Sequence, residues 1–402
     1  MVAPLEGIRV LEIANWLAAP AATALMADLG AEVIKVEPPG GDVYRGFLLK
    51  SLGYDFDFPT NYAFQLDNRG KKSVTVALDK PGGPELVQRL AKDVDIVITN
   101  LIQERRVKFG LTYEHIRAVN PGVVFVSFSG YGTEGPDANR TGFDFAAFWA
   151  ASGIMGLLGE PDAPPPICRG GQGDHTTALN ILAATLAALR LRDKTGEGQH
   201  VETTLQASGM WTIAGDIQSG LVSKKDAPRT TRKSPTNPIW NSYECADGNW
   251  ILLVMPVPFP NYWPRFCAMV ERPDWAAEYT DLANLRAKTT ELTAEIDPII
   301  ASRDRGHWAA KMDEHHLIWA PVATVSDVVN SPQVRQMGWF TEIDHPEFGR
   351  FETLNTPFKL HGADVGPQGP APGPGEHTFE VLSQFGLSSD ELSELAVQGI
   401  LG

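Results

Sequence analysis

Residues 8–37, IRVLEIANWLAAPAATALMADLGAEVIKVE, carry the pattern that decides the fold. The first six and the last seven of these residues are rich in β-branched and aliphatic side chains, which favour strands. Between them, Pro20 opens an alanine-rich stretch that ends at Gly30, an arrangement typical of a helix start and a helix stop. A strand, a helix and a second strand in such a short span predict a βαβ unit with parallel strands.

The same alternation continues along the chain. Strands are predicted at 73–79, 95–100 and 123–130, and helices at 83–94 and 113–120. Strands that alternate with helices are typical of an α/β domain whose parallel sheet is buried on both faces.

The length of 402 residues exceeds what one hydrophobic core usually supports, so two domains are expected. Residues 226–237, DAPRTTRKSPTN, are polar, basic and proline-containing, and we interpret them as a domain boundary. The region that follows mixes strand and helix patterns and predicts a smaller α+β domain. The proline- and glycine-rich stretch 366–377 is interpreted as a connection without regular structure.

Composition narrows the class of protein. The formal net charge of −15 argues against nucleic-acid and membrane partners. Cys168, Cys245 and Cys267 lie far apart and form no CxxC pair, which favours reduced thiols and a cytoplasmic location. No signal peptide or membrane span is predicted, because the most apolar long segment, 143–158, is short and contains Asp144; it is interpreted as a buried core helix.

Several familiar chemistries lack their motifs. The turn after the first strand has none of the three glycines that cradle a dinucleotide pyrophosphate, and neither a P-loop nor a GxSxG motif is present. No histidine pair has zinc-site spacing, since His315 and His316 are adjacent and do not share a helix face. A metal site is therefore not predicted.

The segment 169–177, RGGQGDHTT, has the character of a ligand site. Gly170, Gly171 and Gly173 leave the backbone open to close approach, and Asp174 begins the clearest predicted helix, 174–192. Unpaired N–H groups and the helix dipole are expected there to keep the carboxylate ionised and to hold an oxyanion. A purely structural alternative is that Asp174 only caps the helix. The residues alone leave both interpretations open.

At these residues the chain resembles the class III CoA-transferases, which include formyl-CoA and carnitine-type CoA-transferases, and the related α-methylacyl-CoA racemases. The resemblance runs through most of the chain in the right order. Its segments are 4–42, 68–79, 95–100, 108–136, 173–205 and 375–387.

This resemblance implies a particular architecture. A Rossmann-like large domain is expected to hold residues 1–225, a small domain residues 226–330, and the C-terminal segment 331–402 is expected to return to the large domain. Two subunits would thread through each other as an interlocked homodimer.

The resemblance also implies a site. The catalytic aspartate of the family falls on Asp174, and coenzyme A, bound as the acyl-CoA substrate, is expected to lie against the large domain with no metal. The positions that correspond to CoA contacts are Asn15, Leu17, Ala18, Val76, Asp79, Asn100, Leu101 and Lys108.

Some positions depart from the family. An arginine that stacks near adenine in some relatives falls on Pro38, and a glutamine near the thioester of formyl-CoA transferase falls on Leu17, which implies a different acid. The glycine-rich loop that shields that enzyme's site has no counterpart in 234–248. In the motif GFDF, Phe143 replaces the racemase histidine, while Asp144 either supports Asp174 or makes a structural contact.

The predicted function is CoA transfer between carboxylic acids, through an aspartyl anhydride and an aspartyl-CoA thioester on Asp174. The alternatives are a racemase or isomerase, which Phe143 disfavours because it cannot exchange a proton, an acyl-CoA hydrolase, and a non-catalytic CoA-binding protein. The sequence does not identify the acids. Tryptophans are interpreted as core residues at positions 16, 149, 211 and 240.

Overall fold

The computed structural model describes residues 2–47, 53 and 58–402, and its centre is a six-stranded parallel sheet. The strand order is β3-β2-β1-β4-β5-β6, which is the order of the Rossmann fold. The strands are β1 (Arg9–Ile13), β2 (Glu32–Glu37), β3 (Lys72–Thr75), β4 (Ile96–Thr99), β5 (Val124–Ser129) and β6 (Gln199–Thr204).

Helices cover the sheet, as the alternating sequence pattern predicts. Those up to residue 223 are α1 (Ala18–Asp28), α2 (Tyr62–Asn68), α3 (Gly83–Ala91), α4 (Gln103–Lys108), α5 (Tyr113–Val119), α6 (Ile154–Leu157), α7 (Gln172–Thr195), α8 (Leu205–Thr212) and α9 (Ala214–Ser223). A 3₁₀ helix at Val43–Gly46 and a π-helix at Asp144–Ala150 complete this set. Two of these helices, α1 and α7, pack against each other.

The first βαβ unit is confirmed, with β1 and β2 paired in parallel so that Leu11 lies opposite Ile34. The predicted start of its helix was late by two residues, because α1 begins at Ala18 and Pro20 is its third residue. Proline is tolerated in a first turn, where its missing N–H has no intrahelical acceptor. The edge strand β6 was not predicted, since its apolar residues form no continuous run.

The interpretation of 143–158 as one buried core helix was wrong. The π-helix and α6 are separate, and Gly153 between them has φ +99°. Phe143 is 49% exposed, whereas Asp144, which the pattern placed in an apolar segment, is buried. The tryptophan interpretation was wrong for Trp211 and Trp240, which are both more than half exposed.

The chain divides into two compact units, one formed by Met1–Met155, Ile167–Ser223 and Met337–Gly402, the other by Gly156–Pro166 and Lys224–Gln336. The first contains the parallel sheet, a hairpin of β10 (Phe340–His345) and β11 (Gly349–Leu354), and helices α17 (Thr378–Gln384) and α18 (Ser389–Val397). Domain boundaries at 225/226 and 330/331 stay predictions.

The second unit has its own core around stacked Trp263, Phe266 and Trp275. Its antiparallel sheet contains β7 (Ser242–Glu244), β8 (Trp250–Leu253) and β9 (Trp319–Pro321). Its helices are α10 (Tyr262–Met269), α11 (Pro273–Glu278), α12 (Leu282–Ala287), α13 (Thr289–Ile300), α14 (Arg305–Glu314), α15 (Val325–Val329) and α16 (Pro332–Gln336).

A buried ion cluster joins the first two strands to the turn that follows β1. Lys35 on β2 is fully buried, and its Nζ lies 2.7 Å from Glu12 Oε1, 3.0 Å from Asp42 Oδ2 and 2.9 Å from the Ala14 carbonyl. The ammonium of Lys71 contacts the other Glu12 oxygen at 2.8 Å. Burial opposes the charge, but Lys35 and Lys71 hold the pKa of Glu12 at about 2.

We expect Lys35→Met to lower the free energy of unfolding by about 3–5 kcal/mol, because it leaves the Glu12 and Asp42 carboxylates buried without this cation. The matched control is Lys72→Met on β3, whose partly exposed ammonium contacts Glu32 and Glu380; about 1 kcal/mol or less should be lost there. Urea denaturation followed by circular dichroism measures both losses. Equal losses in the two variants would contradict the role given to the buried cluster.

Candidate active site

A cavity of about 300 Å³ lies at the carboxyl ends of β1 to β4. This edge of an open parallel sheet, next to the point where the strand order reverses, is where such folds bind ligands. The lining residues are Ile13, Ala14, Asn15, Val36, Glu37, Pro38, Val76, Leu78, Asp79, Leu101 and Arg105.

Four of the eight positions predicted to contact CoA line this cavity: Asn15, Val76, Asp79 and Leu101. Asn100 is next to them, because its side-chain amide donates to the Asn15 carbonyl at 2.7 Å and its oxygen accepts the Asn15 N–H at 3.2 Å.

The other three predicted positions do not line the cavity. Leu17 and Ala18 are buried at the start of α1, and Lys108 is exposed at the end of α4. Arg105, one turn before Lys108, lines the cavity although sequence reasoning did not select it. Its position in a cluster of basic residues at 105–108 was the available signal.

The turn after β1 is held in an unusual conformation. Trp16 has φ +69°, a value that non-glycine residues seldom adopt, and its N–H donates to Asp42 Oδ1 at 3.2 Å. Asp42 is in turn fixed by Lys35. The ring of Trp16 packs edge-on against Phe47 and Phe143, with centroids 5.9 and 5.3 Å away.

The start of α7 lies against a buried carboxylate. Asp144 Oδ2 accepts the Gly171 N–H at 3.0 Å and the Trp149 indole N–H at 3.2 Å. A Cβ on Gly173 would lie 2.2 Å from Asp144 Oδ1, so only glycine fits at this position. Gly171 is the N-cap with φ +81°, a left-handed conformation that glycine adopts without strain.

The end of β5 places Asp144 at this helix terminus. Gly130, directly after β5, and Gly142 approach so closely that a Cβ on Gly130 would lie 2.8 Å from the Gly142 Cα. This contact brings the GFDF motif back to the carboxyl edge of the sheet. Phe143 then points a half-exposed ring toward Trp16, while the Asp144 side chain is buried against the helix.

Asp174 is the third residue of α7, so the alternative in which it caps the helix was wrong: Gly171 is the cap. The prediction that its environment keeps it ionised was also wrong. Burial, followed by the nearby Asp144 and Asp67 carboxylates, raises the pKa of Asp174 to about 7, while the His175 imidazole lowers it.

The predicted use of the helix N–H groups for an oxyanion is not what the structure shows. The Gly171 N–H is taken by Asp144, and the N–H groups of Gly173 and Asp174 also favour the charged form of that carboxylate. Burial nevertheless raises the pKa of Asp144. Asp144 thus stabilises the positive end of the α7 dipole and disfavours the charge of Asp174.

The turn after β1 connects the cavity to Asp174. Asn15 lines the cavity, and two residues later the Leu17 side chain lies 3.2 Å from where a Cβ on Gly171 would be. The turn after β1 therefore contacts both the cavity and the start of α7, although Asp174 itself does not line the cavity.

His175 was not selected from the sequence, although it adjoins Asp174 in the motif. Its Nε2 lies 2.9 Å from Oδ1 of Asp67, a buried residue at the end of α2. The signal was weak, because Asp67 lies 108 residues away and nothing in its local sequence indicates this contact.

Metal ligands do not come together in the part of the chain that the structure describes: no group of three His, Cys, Asp or Glu side chains is placed to hold an ion. The three cysteines are not joined to one another. Among the described residues, none of the helices combines the length and the apolar character needed to cross a bilayer.

Comparisons with known proteins agree on one family. The sequence model of CoA-transferase family III matches residues 5–378. The (R)-2-hydroxy-4-methylpentanoate CoA-transferase of Clostridioides difficile is 29% identical over 397 residues, 97% of each chain. A succinyl-CoA:mesaconate CoA-transferase of Haloarcula marismortui is 31% identical, over 96% of this chain and 97% of that one.

A solved structure of similar shape is that of a CAIB/BAIF family protein from Brucella suis. It superposes with a TM-score of 0.83 at 29% identity and covers 96% of this chain and 100% of that chain.

We expect Asp174→Asn to stabilise the protein at alkaline pH. The folded-state pKa of about 7 lies above the ordinary value of 3.8, so the folded chain binds this proton more tightly than the unfolded chain, and wild-type stability falls as the pH rises through that window. An amide removes this effect. The variant should therefore exceed the wild type by about 1–3 kcal/mol at pH 8 and by much less at pH 4.

Urea denaturation at the two pH values measures the difference. Asp193→Asn, an exposed site near the other end of α7, is the matched control and should show no comparable gain at pH 8. A pH-independent difference for Asp174→Asn would contradict the raised pKa.

Proposed function

This chain belongs to CoA-transferase family III, and we propose that it transfers CoA from an acyl-CoA donor to a carboxylic acid acceptor with Asp174 as the nucleophile. The observation that carries the proposal is the position of Asp174. Its carboxylate lies in the first turn of α7, and the turn that packs on this helix start also lines the cavity at the sheet edge. The proposed nucleophile and the proposed CoA site are thereby linked through one turn of the chain.

Asp174 starts the proposed reaction by attacking the thioester carbonyl carbon of the donor. The carbon–sulfur bond breaks, CoA leaves as the thiolate, and a mixed anhydride joins the acyl group to Asp174. The thiolate then attacks the aspartyl carbonyl, which releases the donor acid and forms an aspartyl-CoA thioester. The acceptor carboxylate attacks the carbonyl carbon of this thioester, which breaks the carbon–sulfur bond, releases the CoA thiolate and forms a second mixed anhydride. The thiolate then attacks the acceptor acyl carbon of this anhydride, which gives the new acyl-CoA and regenerates the Asp174 carboxylate.

The raised pKa of Asp174 suits a carboxylate that must first attack the thioester and later be released again. A carboxylate whose pKa is about 7 is more basic than an exposed aspartate, and basicity favours attack on a carbonyl. The group therefore changes its protonation state in the neutral range. The proposed activity should therefore increase as the pH rises through this region.

The proposed CoA site extends from Asn15 to the loops after β3 and β4. Pro38 lines the cavity where some relatives have an arginine near the adenine, so the positive charge for the CoA phosphates is assigned to Arg105 and Lys108. Val76, Asp79 and Leu101 form the wall between these groups and Asn15, and Asn100 supports Asn15 by bonding to its carbonyl. Leu17 and Ala18 are buried and do not line the cavity; their proposed role is to position the start of α1.

A racemase is the weaker candidate for the same fold. Phe143 lies beside Asp144 and packs its ring on Trp16, so its position is apolar and offers no proton acceptor. Two-base exchange of an α-proton needs a titratable group at such a place. Transfer needs none, because the aspartate alone forms the covalent intermediates.

We expect borohydride, added during turnover with an acyl-CoA donor, to reduce the Asp174 thioester to an alcohol and so convert this residue to homoserine. Peptide mass spectrometry of the segment 169–177 locates the change. Asp174→Asn should fold and lose transfer by several orders of magnitude, since an amide is a poor nucleophile.

The matched control for trapping is the same treatment without a donor, in which Asp174 should stay unmodified. Asp193→Asn is the control substitution and should retain transfer, because it removes an exposed carboxylate near the other end of α7. Full transfer by folded Asp174→Asn would refute the proposal and favour a non-catalytic or hydrolytic role.

The same family membership supports an interlocked homodimer, which we propose as the working assembly. In the single chain, α9 has no buried residue, and Leu221 and Val222 on it are 60% and 75% exposed. Trp211 at the end of α8 is 76% exposed. Apolar side chains grouped in this way indicate a surface that a partner covers.

We expect no monomer on dilution to nanomolar concentrations, because separating interlocked chains requires unfolding. Two differently tagged preparations, mixed and incubated, should not exchange subunits, whereas co-expressed chains should form mixed dimers. Analytical ultracentrifugation and tag capture measure these outcomes. A folded monomer, or rapid exchange, would contradict the interlocked assembly.

A further inference from the structure

The Asp67–His175 pair lies at the start of α7, beside Asp174, and the proposed mechanism does not use it. His175 Nε2 lies 2.9 Å from Asp67 Oδ1, and the Asp67 side chain is only 2% exposed. The imidazole itself is about half exposed and lines an apolar cavity of about 560 Å³. Both residues line this cavity, but only the histidine presents much of its side chain to it.

The surroundings of this pair favour an imidazolium. In the part of the chain that the structure describes, the Oδ2 atom of Asp67 is buried without a hydrogen-bond partner, so His175 alone bonds to this carboxylate. A buried carboxylate is costly unless a cation compensates it. Burial opposes the imidazolium charge, but Asp67, Asp174 and the Gly171 carbonyl raise the pKa of His175.

The charged and titratable groups around His175 are mostly acidic. Asp67 approaches from α2, Asp174 from its own helix and Asp144, acting on Asp174, from the π-helix. The basic neighbours are committed elsewhere: Arg69, on the same cavity, pairs with Asp28 at 2.6 Å, and Lys71 pairs with Glu12. Tyr44 stays neutral, because burial raises its pKa.

We propose that His175, held by Asp67, is a positioning residue whose positive charge favours the carboxylate form of Asp174, the form that attacks the thioester. This inference rests on the proposed function, since it names what maintains the nucleophile. His175 acts on Asp174 through its charge and not through contact with the reacting atoms. Asp144 and His175 thus oppose each other: one disfavours the Asp174 carboxylate and the other restores it.

Two substitutions separate charge from hydrogen bonding. His175→Gln retains an N–H donor for Asp67 without the charge, and His175→Lys supplies a cation of different shape. His175→Gln should displace the acid limb of the kcat/KM profile to higher pH. Its transfer rate should fall about fivefold at pH 6.5 and come within about twofold of wild type at pH 9. His175→Lys should return the limb toward its wild-type position.

The matched control is His115→Gln on α5, an exposed histidine that bonds to the Thr112 hydroxyl and does not act on Asp174; its profile should be that of the wild type. A loss in His175→Gln that is equal at every pH, or one that His175→Lys does not reverse, would overturn the inference. Such results would assign the pair a purely structural role.

A second readout does not depend on transfer. Aspartate labelled with ¹³C at the side-chain carboxyl gives an NMR signal for Asp174 that is identified by its absence in Asp174→Asn. Its titration midpoint should rise in His175→Gln and return in His175→Lys. Wild-type protein without transfer activity would refute the proposed function but leave this titration intact, whereas an unchanged midpoint in His175→Gln would refute the inference alone.

Discussion

The ammonium group of Lys35, buried under the carboxyl edge of the sheet, is the constraint on which the other features of the site depend. It bonds to Glu12 on β1, to Asp42 and to the carbonyl of Ala14. These contacts fix the distance between β1 and β2 at the edge where their loops begin. They also set the turn after β1, since Asp42 accepts the Trp16 N–H and so stabilises its left-handed conformation. A lysine so buried is stable only because oxygen atoms surround it.

The turn after β1 also contacts the start of α7, the helix that carries the proposed nucleophile. Trp16 packs on Phe143, and Leu17 lies against Gly171, so the turn contacts both segments that meet at the start of α7. Glycine at 171 and 173 then allows the backbone to lie close to the Asp144 carboxylate. The second cation of the cluster, Lys71, extends the same network to the backbone of Asp67, whose side chain binds His175.

The site concentrates acidic groups where burial disfavours their charges. Asp144 is stabilised by helix N–H groups, but it raises the energy of an ionised Asp174. Such an arrangement costs stability at neutral pH and provides a carboxylate of raised basicity, a combination found where side chains do chemistry. The pair formed by His175 and Asp67 offsets part of this effect in our proposal. In this proposal the reactivity of Asp174 therefore depends on the charged groups around the start of α7.

The sequence by itself determined five of the six strands of the sheet, the first βαβ unit and the family, because strand and helix periodicity and the order of motifs are local properties of the chain. It also led to Asp174 through the glycine-flanked motif, and the family resemblance led to four residues of the cavity wall. Tertiary structure decided how readily the aspartate of this motif ionises. The expectation of an easily ionised Asp174 treated the helix terminus in isolation, whereas Asp144, the first residue of the π-helix, accepts the Gly171 N–H and adds its own charge. The same holds for His175, whose partner comes from α2, and for Lys35, whose partners Glu12 and Asp42 lie outside its own strand. Charges act through space over a few ångströms, so their effect depends on contacts between residues far apart in the chain, and only the folded molecule brings those residues together.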